Sequence, residues 1–240
     1  IGVDGGRVRI RNYTGEKNES GNAIYETPWR EPKLFVIHVL DEKGKLDKDV
    51  RPIYGCRFSE EAMICLLKSY LEVLQISHCQ QVQLLADGAP WIWNTIPSLL
   101  IELGVSNNQL ILTLDYYHAI NYVNKLVDSL PKRYSNKKRK ELSKQFTLQL
   151  WQGQSQQIAT TCKELYKRPS KLVKRWVKYL DKHNNKTHYA DYQSDRLMCG
   201  SGIIESGIRR MVNLKFKSPS IFWDESKVEK LFFFVVFFYL

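Results

Sequence analysis

The order of strand-like and helix-like segments in the first 130 residues constrains the fold more than any other feature of the sequence. Three strand-like segments come first, and helices then alternate with two further strand-like segments. The strand-like segments are Ile1–Arg11, Lys33–Asp41, Val50–Phe58, residues 82–87 (VQLLAD) and Gln109–Asp115. Short connections between the first three predict an antiparallel meander, and the intervening helices predict that the last two strands are parallel.

Capping signals mark where the helices between these strands begin and end. Ser59 precedes Glu60 and Glu61, two acids that suit the positive first turn of a helix. An apolar stripe at helical spacing follows them. The next predicted helix begins near Pro90, which the first helical turn accommodates, and ends at Gly104. A further helix is predicted after the fifth strand.

The segment 131–191 has a different character. Strand signals disappear and helical patterns dominate. Lysines and arginines crowd this segment, and Glu141 and Glu164 are the acids that oppose them over most of its length. We interpret it as an all-helical, basic insertion.

The segments assemble into one interrupted domain. Residues 1–130 supply the first part of its core, and residues 192–230 close it with a helix that carries Glu205. The insertion 131–191 lies between them, and an apolar tail occupies 231–240. This order of elements predicts an RNase H-like α/β fold, in which helices flank a mixed sheet of a three-strand antiparallel meander plus two parallel strands. The all-helical insertion then precedes the last acid.

The charge balance points to a polyanionic partner. The chain holds 36 lysines and arginines against 25 aspartates and glutamates, a formal net charge of +11. Such an excess favours nucleic acid ahead of a membrane surface. Five cysteines without a CxxC pair argue against a disulfide framework and predict a reducing, cytoplasmic compartment. The apolar run 231–240 is too short to span a bilayer.

Three distant acids are the candidates for chemistry. Asp4 lies on the first predicted strand, Asp87 at the end of the fourth and Glu205 on a late helix. The first and fourth strands are neighbours in the predicted fold, so these side chains could converge. Three carboxylates there suit two Mg²⁺ ions, which prefer oxygen ligands and assist both the attacking and the leaving oxygen in phosphodiester displacement.

Each of these acids also has a local explanation. Asp4 stands before two glycines and could simply belong to a turn. Asp87 could cap the helix that follows it. Glu205 could pair with Arg209 one helical turn further on. The joint placement of the three acids, rather than any one of them, favours a metal site.

The fifth predicted strand ends in another acid, Asp115, with His118 three residues on. The pair could hold a metal ion, or it could form a structural hydrogen bond that supports neighbouring ligands; the second interpretation is favoured. Trp91 and Trp93, beside Asp87, could stack on an unpaired base, although core packing suits them better.

Four blocks of the sequence carry a resemblance to a known family. The blocks are VDGGRVRIR, LLADGAPWIWN, LDYYHAINYV and GSGIIESGIRRMVNLKFK, in that order along nearly the whole chain. They resemble prokaryotic insertion-sequence transposases with an RNase H-like DDE catalytic domain. The Kra-type insertion-sequence family is the nearest in appearance, and the mutator-like group is a wider relative. DGAPWIW and GSGIIES are the more specific stretches.

The resemblance implies a function for the acids. Asp4, Asp87 and Glu205 would be the catalytic triad, binding two Mg²⁺ or Mn²⁺ ions. Asp115 and His118 match the acid-x-x-His signature that follows the second catalytic acid, and would be auxiliary. The implied reaction is hydrolysis at a transposon end, which frees a 3′-hydroxyl, followed by attack of that hydroxyl on target DNA.

Basic residues near the acids are the candidate DNA contacts. They are Arg7, Arg209, Arg210, Lys215 and Lys217. Contacts of this kind would be directed to the DNA backbone and sensitive to salt, and the alternative for the two lysines is a solvated helix surface. The implied partners are transposon ends and target DNA, with a homodimer expected from the resemblance.

Two other functions stay open at this stage. One is an RNase H-like nuclease without strand transfer, and the other is an inactive DNA-binding remnant. The start close to Asp4 and the apolar tail 231–240 lead us to expect a truncated or frame-shifted copy.

Overall fold

A computed structural model of the chain describes residues 1–217 and 221–239. The strands are β1 (Gly2–Gly5), β2 (Val8–Arg9), β3 (Asn12–Lys17), β4 (Ala23–Glu26), β5 (Trp29–Arg30), β6 (Lys33–Ile37), β7 (Ile53–Arg57), β8 (Val82–Ala86) and β9 (Leu110–Leu114). The helices are α1 (Glu60–Val73), α2 (Pro90–Glu102), α3 (Tyr116–Asp128), α4 (Asn136–Trp151), α5 (Ser155–Leu165), α6 (Lys171–Lys182), α7 (Tyr189–Ser194), α8 (Gly202–Ile208), α9 (Leu214–Phe216) and α10 (Glu225–Tyr239). A π-helical turn, Arg209–Asn213, joins α8 to α9.

The central sheet has the strand order β7-β6-β1-β8-β9. β1 pairs antiparallel with β6, and β6 pairs antiparallel with β7. On its other side β1 pairs parallel with β8, which pairs parallel with β9. The predicted α/β class, with a mixed sheet flanked by helices, is therefore confirmed. The carboxyl ends of β1, β8 and β9 lie side by side at one end of the sheet.

The predicted helix boundaries around the first two helices are confirmed. Ser59 precedes α1 and its hydroxyl oxygen accepts a hydrogen bond from the Ala62 amide at 3.3 Å. Pro90 occupies the start of α2. Gly104 follows α2 with a φ of +88°, a left-handed conformation that glycine adopts without the strain of a Cβ atom.

The sheet separates two hydrophobic cores. Along β6, Phe35 faces the core formed with α1 and α2, whereas Leu34 and Val36 face the core formed with α8 and α10. This alternation follows from the period of two along a strand. The helix that carries Glu205 is therefore packed against the face of the sheet opposite α1 and α2.

The segment 131–191, predicted as a helical insertion, contains α4, α5, α6 and the start of α7. These helices share a third core with α3 and β9, in which Leu142, Phe146 and Leu180 are buried. One basic residue of this segment, Arg139, has a structural role. The Arg139 guanidinium donates hydrogen bonds to backbone carbonyls at the end of α3 and in the turn after it, those of Val127, Asp128, Leu130 and Pro131. The helical segment is thus fastened to the sheet layer through α3.

The prediction of one strand over Ile1–Arg11 with a short connection to the next is wrong. β1 ends at Gly5, and the Gly6 amide donates a hydrogen bond to the Pro32 carbonyl at 2.8 Å. The chain between them forms a ribbon from β2, β3, β4 and β5. Residues 12–26 of this ribbon are exposed, so no apolar alternation marked them in the sequence.

The predicted apolar tail begins inside α10. Phe232 is buried, and its ring centroid lies 5.2 Å from those of both Phe58 and Phe216. The next two residues, Phe233 and Phe234, are 60% and 56% exposed. The tail's last residue, 240, lies outside the described residues. Across the described ranges, no helix is both long and apolar enough to cross a membrane.

Candidate metal centre

Three aspartates lie at the same level of the sheet. Val3 of β1 pairs with Ala86 of β8, which in turn pairs with Leu114 of β9. The residues that come next along the three strands are Asp4, Asp87 and Asp115. Because the strands are parallel neighbours in register, these carboxylates gather at the carboxyl ends of the strands, where α/β proteins commonly hold ligands.

Asp4 is only partly accessible to water. Burial raises its pKa from 3.8 to about 6. The charges of Asp87 and Glu205 also raise this pKa, whereas a hydrogen bond from the Gly5 amide to Oδ1 and the charge of His118 lower it. These effects indicate that the charges of Asp87, His118 and Glu205 lie near Asp4.

Asp87 lies in a turn between β8 and α2. Its Oδ1 accepts a hydrogen bond from the Ala89 amide at 2.8 Å, and its carbonyl accepts one from the Trp93 indole at 2.6 Å. This hydrogen bond gives Trp93 a structural role. Ala89, rather than Asp87, holds the capping position of α2. No hydrogen bond within the described residues reaches the second carboxylate oxygen of Asp87 or of Asp4, so each can offer that oxygen to a ligand.

Asp115 is fully buried and connects two helices of the site. Its Oδ1 accepts a hydrogen bond from the His118 amide at 2.6 Å and lies 3.0 Å from Nδ1 of the same residue. Its Oδ2 accepts a hydrogen bond from the Ser201 amide at 2.6 Å. Despite the opposing effect of burial, these hydrogen bonds keep the pKa of Asp115 below its usual value.

Glu205 projects from the first turn of α8 and is exposed. Its Oε1 accepts a hydrogen bond from the Ser201 hydroxyl at 3.2 Å. Ser201 thus links Asp115 to Glu205. The sequence analysis assigned no role to Ser201, although this residue lies within the GSGIIES stretch.

The donor set fits a divalent cation. Asp115, His118 and Glu205 each offer one potential ligand atom, and these three atoms lie within 4.8 Å of one another. The predicted ligands Asp4 and Asp87 are not members of this group, although the charges of both affect the pKa of His118. Most of these donors are carboxylate oxygens, the ligands that Mg²⁺ and Mn²⁺ prefer. The hydrogen bond to Asp115 raises the pKa of His118, and so do the charges of Asp115, Asp87 and Asp4, whereas burial lowers it.

The predicted DNA-contacting residues do not all lie together. Arg7, Arg209, Lys215 and Lys217 are exposed. Arg209 lies one helical turn after Glu205, and its amide donates a hydrogen bond to the Glu205 carbonyl. The side chains of these two described residues form no ion pair. Arg210 donates instead to the Tyr54 hydroxyl at 3.1 Å, on the edge strand β7.

No protein family, curated protein or solved structure matches this chain.

The raised pKa of Asp4 predicts how stability depends on pH without metal. Between about pH 4 and pH 7, the free energy of unfolding of Asp4→Asn should rise relative to the parent protein. The parent carboxyl is protonated in the folded protein at the lower pH, and it ionises near pH 6. Because burial disfavours the charged form, the parent protein loses stability as the pH rises, whereas the asparagine stays neutral. Urea denaturation in EDTA across this range measures the difference. A difference that is constant with pH would contradict the prediction.

Proposed function

We propose that this chain is the catalytic domain of a DDE-type DNA transposase. In this proposal Asp4, Asp87 and Glu205 hold two Mg²⁺ or Mn²⁺ ions that serve cleavage of transposon ends and strand transfer into target DNA. The observation that carries the proposal is that Asp4 of β1 and Asp87, the residue after β8, follow paired residues of parallel neighbouring strands. The charge of Glu205, on α8, also raises the pKa of Asp4.

The sheet topology supports an RNase H-like fold. That fold requires a three-strand antiparallel meander whose first strand also pairs in parallel with the fourth. The order β7-β6-β1-β8-β9 and the pairing directions agree with this requirement. The helical segment between α3 and α8 agrees with an insertion placed before the last acid. The resemblance of the four sequence blocks points the same way.

The residues of the site have separable tasks in this proposal. Two bound divalent ions would polarise the phosphodiester and stabilise the attacking and leaving oxygens. Asp4 and Asp87 would each contribute the carboxylate oxygen that their own turns leave without a hydrogen bond. Glu205, on α8, would supply the third carboxylate of the proposed metal ligands. Asp115 would orient His118 and, through Ser201, the helix that carries Glu205.

The excess of positive charge supports DNA as the substrate. A net charge of +11 would attract a polyanion and make association sensitive to salt. The exposed Arg7 and Arg209 lie near acids of the site in sequence and could neutralise phosphates there. The carboxylates themselves would repel DNA without a cation, so we expect productive binding at the site to require one.

An assay with labelled DNA duplexes tests the proposal. The duplexes carry the sequences that flank the gene on either side, and they are incubated with the purified protein, Mg²⁺ or Mn²⁺ and a target plasmid. Cleavage followed by joining of the label to the plasmid is the expected result. Cleavage alone would indicate a nuclease, and binding without cleavage would indicate a DNA-binding remnant. Glu205→Gln should abolish both reactions, whereas Glu164→Gln, a matched change at an exposed glutamate of α5, should leave them unchanged.

A further inference from the structure

The ribbon between β1 and β6 consists of two antiparallel pairs, β2 with β5 and β3 with β4. Arg9 lies opposite Trp29, and Tyr13 lies opposite Tyr25 in the same register. Side chains therefore alternate between two faces along this stretch. One face carries Val8 and Ile10, both buried, and the other carries residues 7, 9, 11 and 13 together with their partners on the returning strand.

The outward face is basic. Arg7, Arg9 and Arg11 follow one another at every second position and are exposed. The ribbon is supported along this stretch by Trp223, whose carbonyl accepts from the Arg11 amide at 2.7 Å and whose amide donates to the Arg9 carbonyl at 3.3 Å. The arginines thus stand on a backbone that is hydrogen-bonded on both sides.

Aromatic rings pack against two of these arginines, Arg9 and Arg11. The Arg9 guanidinium carbon lies 5.6 Å from the Trp29 ring centroid and 5.3 Å from that of Phe222. The Arg11 guanidinium carbon lies 3.6 Å from the Tyr25 ring centroid. Such contacts restrict the side chains before a ligand arrives, so less entropy is lost on binding. Trp29 and Tyr13 remain 56% and 52% exposed, which leaves ring surface open.

The outward face begins next to the candidate metal centre. Arg7 follows Asp4 by three residues, a distance of at most about 10 Å along an extended chain. Among the acids of the ribbon, Glu26 is paired opposite Asn12 and so points to the other face. The register that sets Arg9 opposite Trp29 puts Glu31 opposite Arg7 on the outward face, beside Gly5 at the end nearest Asp4. Glu16 and Glu19 lie beyond Tyr13, toward the tip of the ribbon.

We propose that this face binds an unpaired DNA strand and leads it to the carboxylates. Guanidinium groups spaced along a strand suit successive phosphates, and exposed rings between them suit stacked bases. Bases of a duplex are already stacked on one another, so a duplex would use the arginines but not the rings. The interpretation of the bound strand as substrate rests on the function proposed above; the binding itself does not.

Binding of a fluorescein-labelled oligothymidylate to the full chain, followed by anisotropy in EDTA, tests this face without cleavage. Trp29→Ala should weaken single-strand binding about tenfold and duplex binding much less. Replacing Arg7, Arg9 and Arg11 together with glutamine should lower the steepness of the salt dependence by about 2, since each phosphate contact contributes roughly 0.7. Thermal unfolding followed by circular dichroism verifies that both variants are folded.

A matched variant on α6 separates this face from general positive charge. Lys171, Lys174 and Lys178 are exposed there, and their joint replacement with glutamine removes the same charge. We expect a smaller loss of single-strand binding than in the arginine variant. Equal losses, an unchanged Trp29→Ala variant, or a parent protein that binds no single strand would each overturn the proposal.

The binding assay and the cleavage assay distinguish the two proposals. If this face binds single-stranded DNA but no cleavage follows when Mg²⁺ or Mn²⁺ is added, the result would support the binding proposal and contradict the transposase proposal. If the parent protein cleaves DNA but the arginine variant binds single-stranded DNA as well as the parent does, the result would support the transposase proposal and contradict the binding proposal.

Discussion

Replacing Asp115 with asparagine is expected to lower the free energy of unfolding by about 3 kcal/mol and to abolish metal-dependent cleavage of DNA. The parent carboxylate is fully buried and accepts hydrogen bonds from the amides of His118 and Ser201. An asparagine would direct its NH₂ group at one of these donors. It would also leave the imidazole of His118 without its anionic partner.

Urea denaturation in EDTA measures the stability part of this prediction, because no metal or DNA is needed. Asp128→Asn is the control, since it makes the same chemical change at an exposed position near the end of α3. It should alter stability by no more than about 0.5 kcal/mol. A stable, inactive Asp115→Asn protein would mean that Asp115 acts as a metal ligand only, and a stable, active one would remove it from the site.

Glu205→Gln completes the comparison. Glu205 is exposed and accepts one hydrogen bond, from Ser201, so its replacement should scarcely change stability in EDTA. In the parent protein Mg²⁺ should raise the unfolding temperature, because a ligand that binds only the folded state stabilises it. That increase should be lost in Glu205→Gln. The two variants thus separate a residue that positions the site from one that binds the cation.

The sequence predicted the sheet and its acids because local signals were strong. Apolar runs ending in Asp87 and Asp115 marked buried strands, and the helices between them implied parallel neighbours. The sequence could not predict the pairing register of β8 with its neighbours β1 and β9. Only the pairing of Ala86 with both of its neighbours puts three aspartates at one level. Asp115 consequently has a more central position than its proposed auxiliary role suggested.

Features that depend on contacts distant in sequence were missed. The ribbon after β1 is exposed on both faces near its tip, so it lacks the alternation of a half-buried strand. Arg9 and Arg11 acquire their surroundings from Trp29, Tyr25 and Phe222, the last from the far end of the chain. A period-two run of arginines was visible, but not the aromatic rings beneath it.

Aromatic residues of the helical segment 131–191 reach the candidate site, and Tyr179 makes the contact nearest Asp87. Tyr179 of α6 stacks on Tyr122 of α3 with ring centroids 4.0 Å apart. Its ring also lies against the backbone of Gly88, next to Asp87. Burial raises the pKa of Tyr179, and the charges of Asp87 and Asp115 add to this effect. Helix α6 and the turn that holds Asp87 are therefore in direct contact.

This contact makes Gly88 a sensitive position. A Cβ atom at Gly88 would lie 2.8 Å from the Tyr179 hydroxyl oxygen and closer still to its ring. Gly88→Ala therefore forces either the turn of Asp87 or helix α6 to move. We expect a loss of about 2 kcal/mol in the free energy of unfolding, typical of overpacking. Cleavage should fall roughly 100-fold, because a displacement of about 1 Å in a positioned group can cost that much.

A double-mutant cycle tests whether Tyr179 is the cause. In a Tyr179→Leu background the branched, shorter side chain leaves room beside residue 88, so Gly88→Ala should cost less there than in the parent protein. Gly202→Ala is the control, because an added Cβ at this glycine of α8 meets no other atom within 4 Å. It should be neutral or slightly stabilising. Additive effects of Gly88→Ala and Tyr179→Leu on both stability and cleavage would show that α6 does not constrain the turn that holds Asp87.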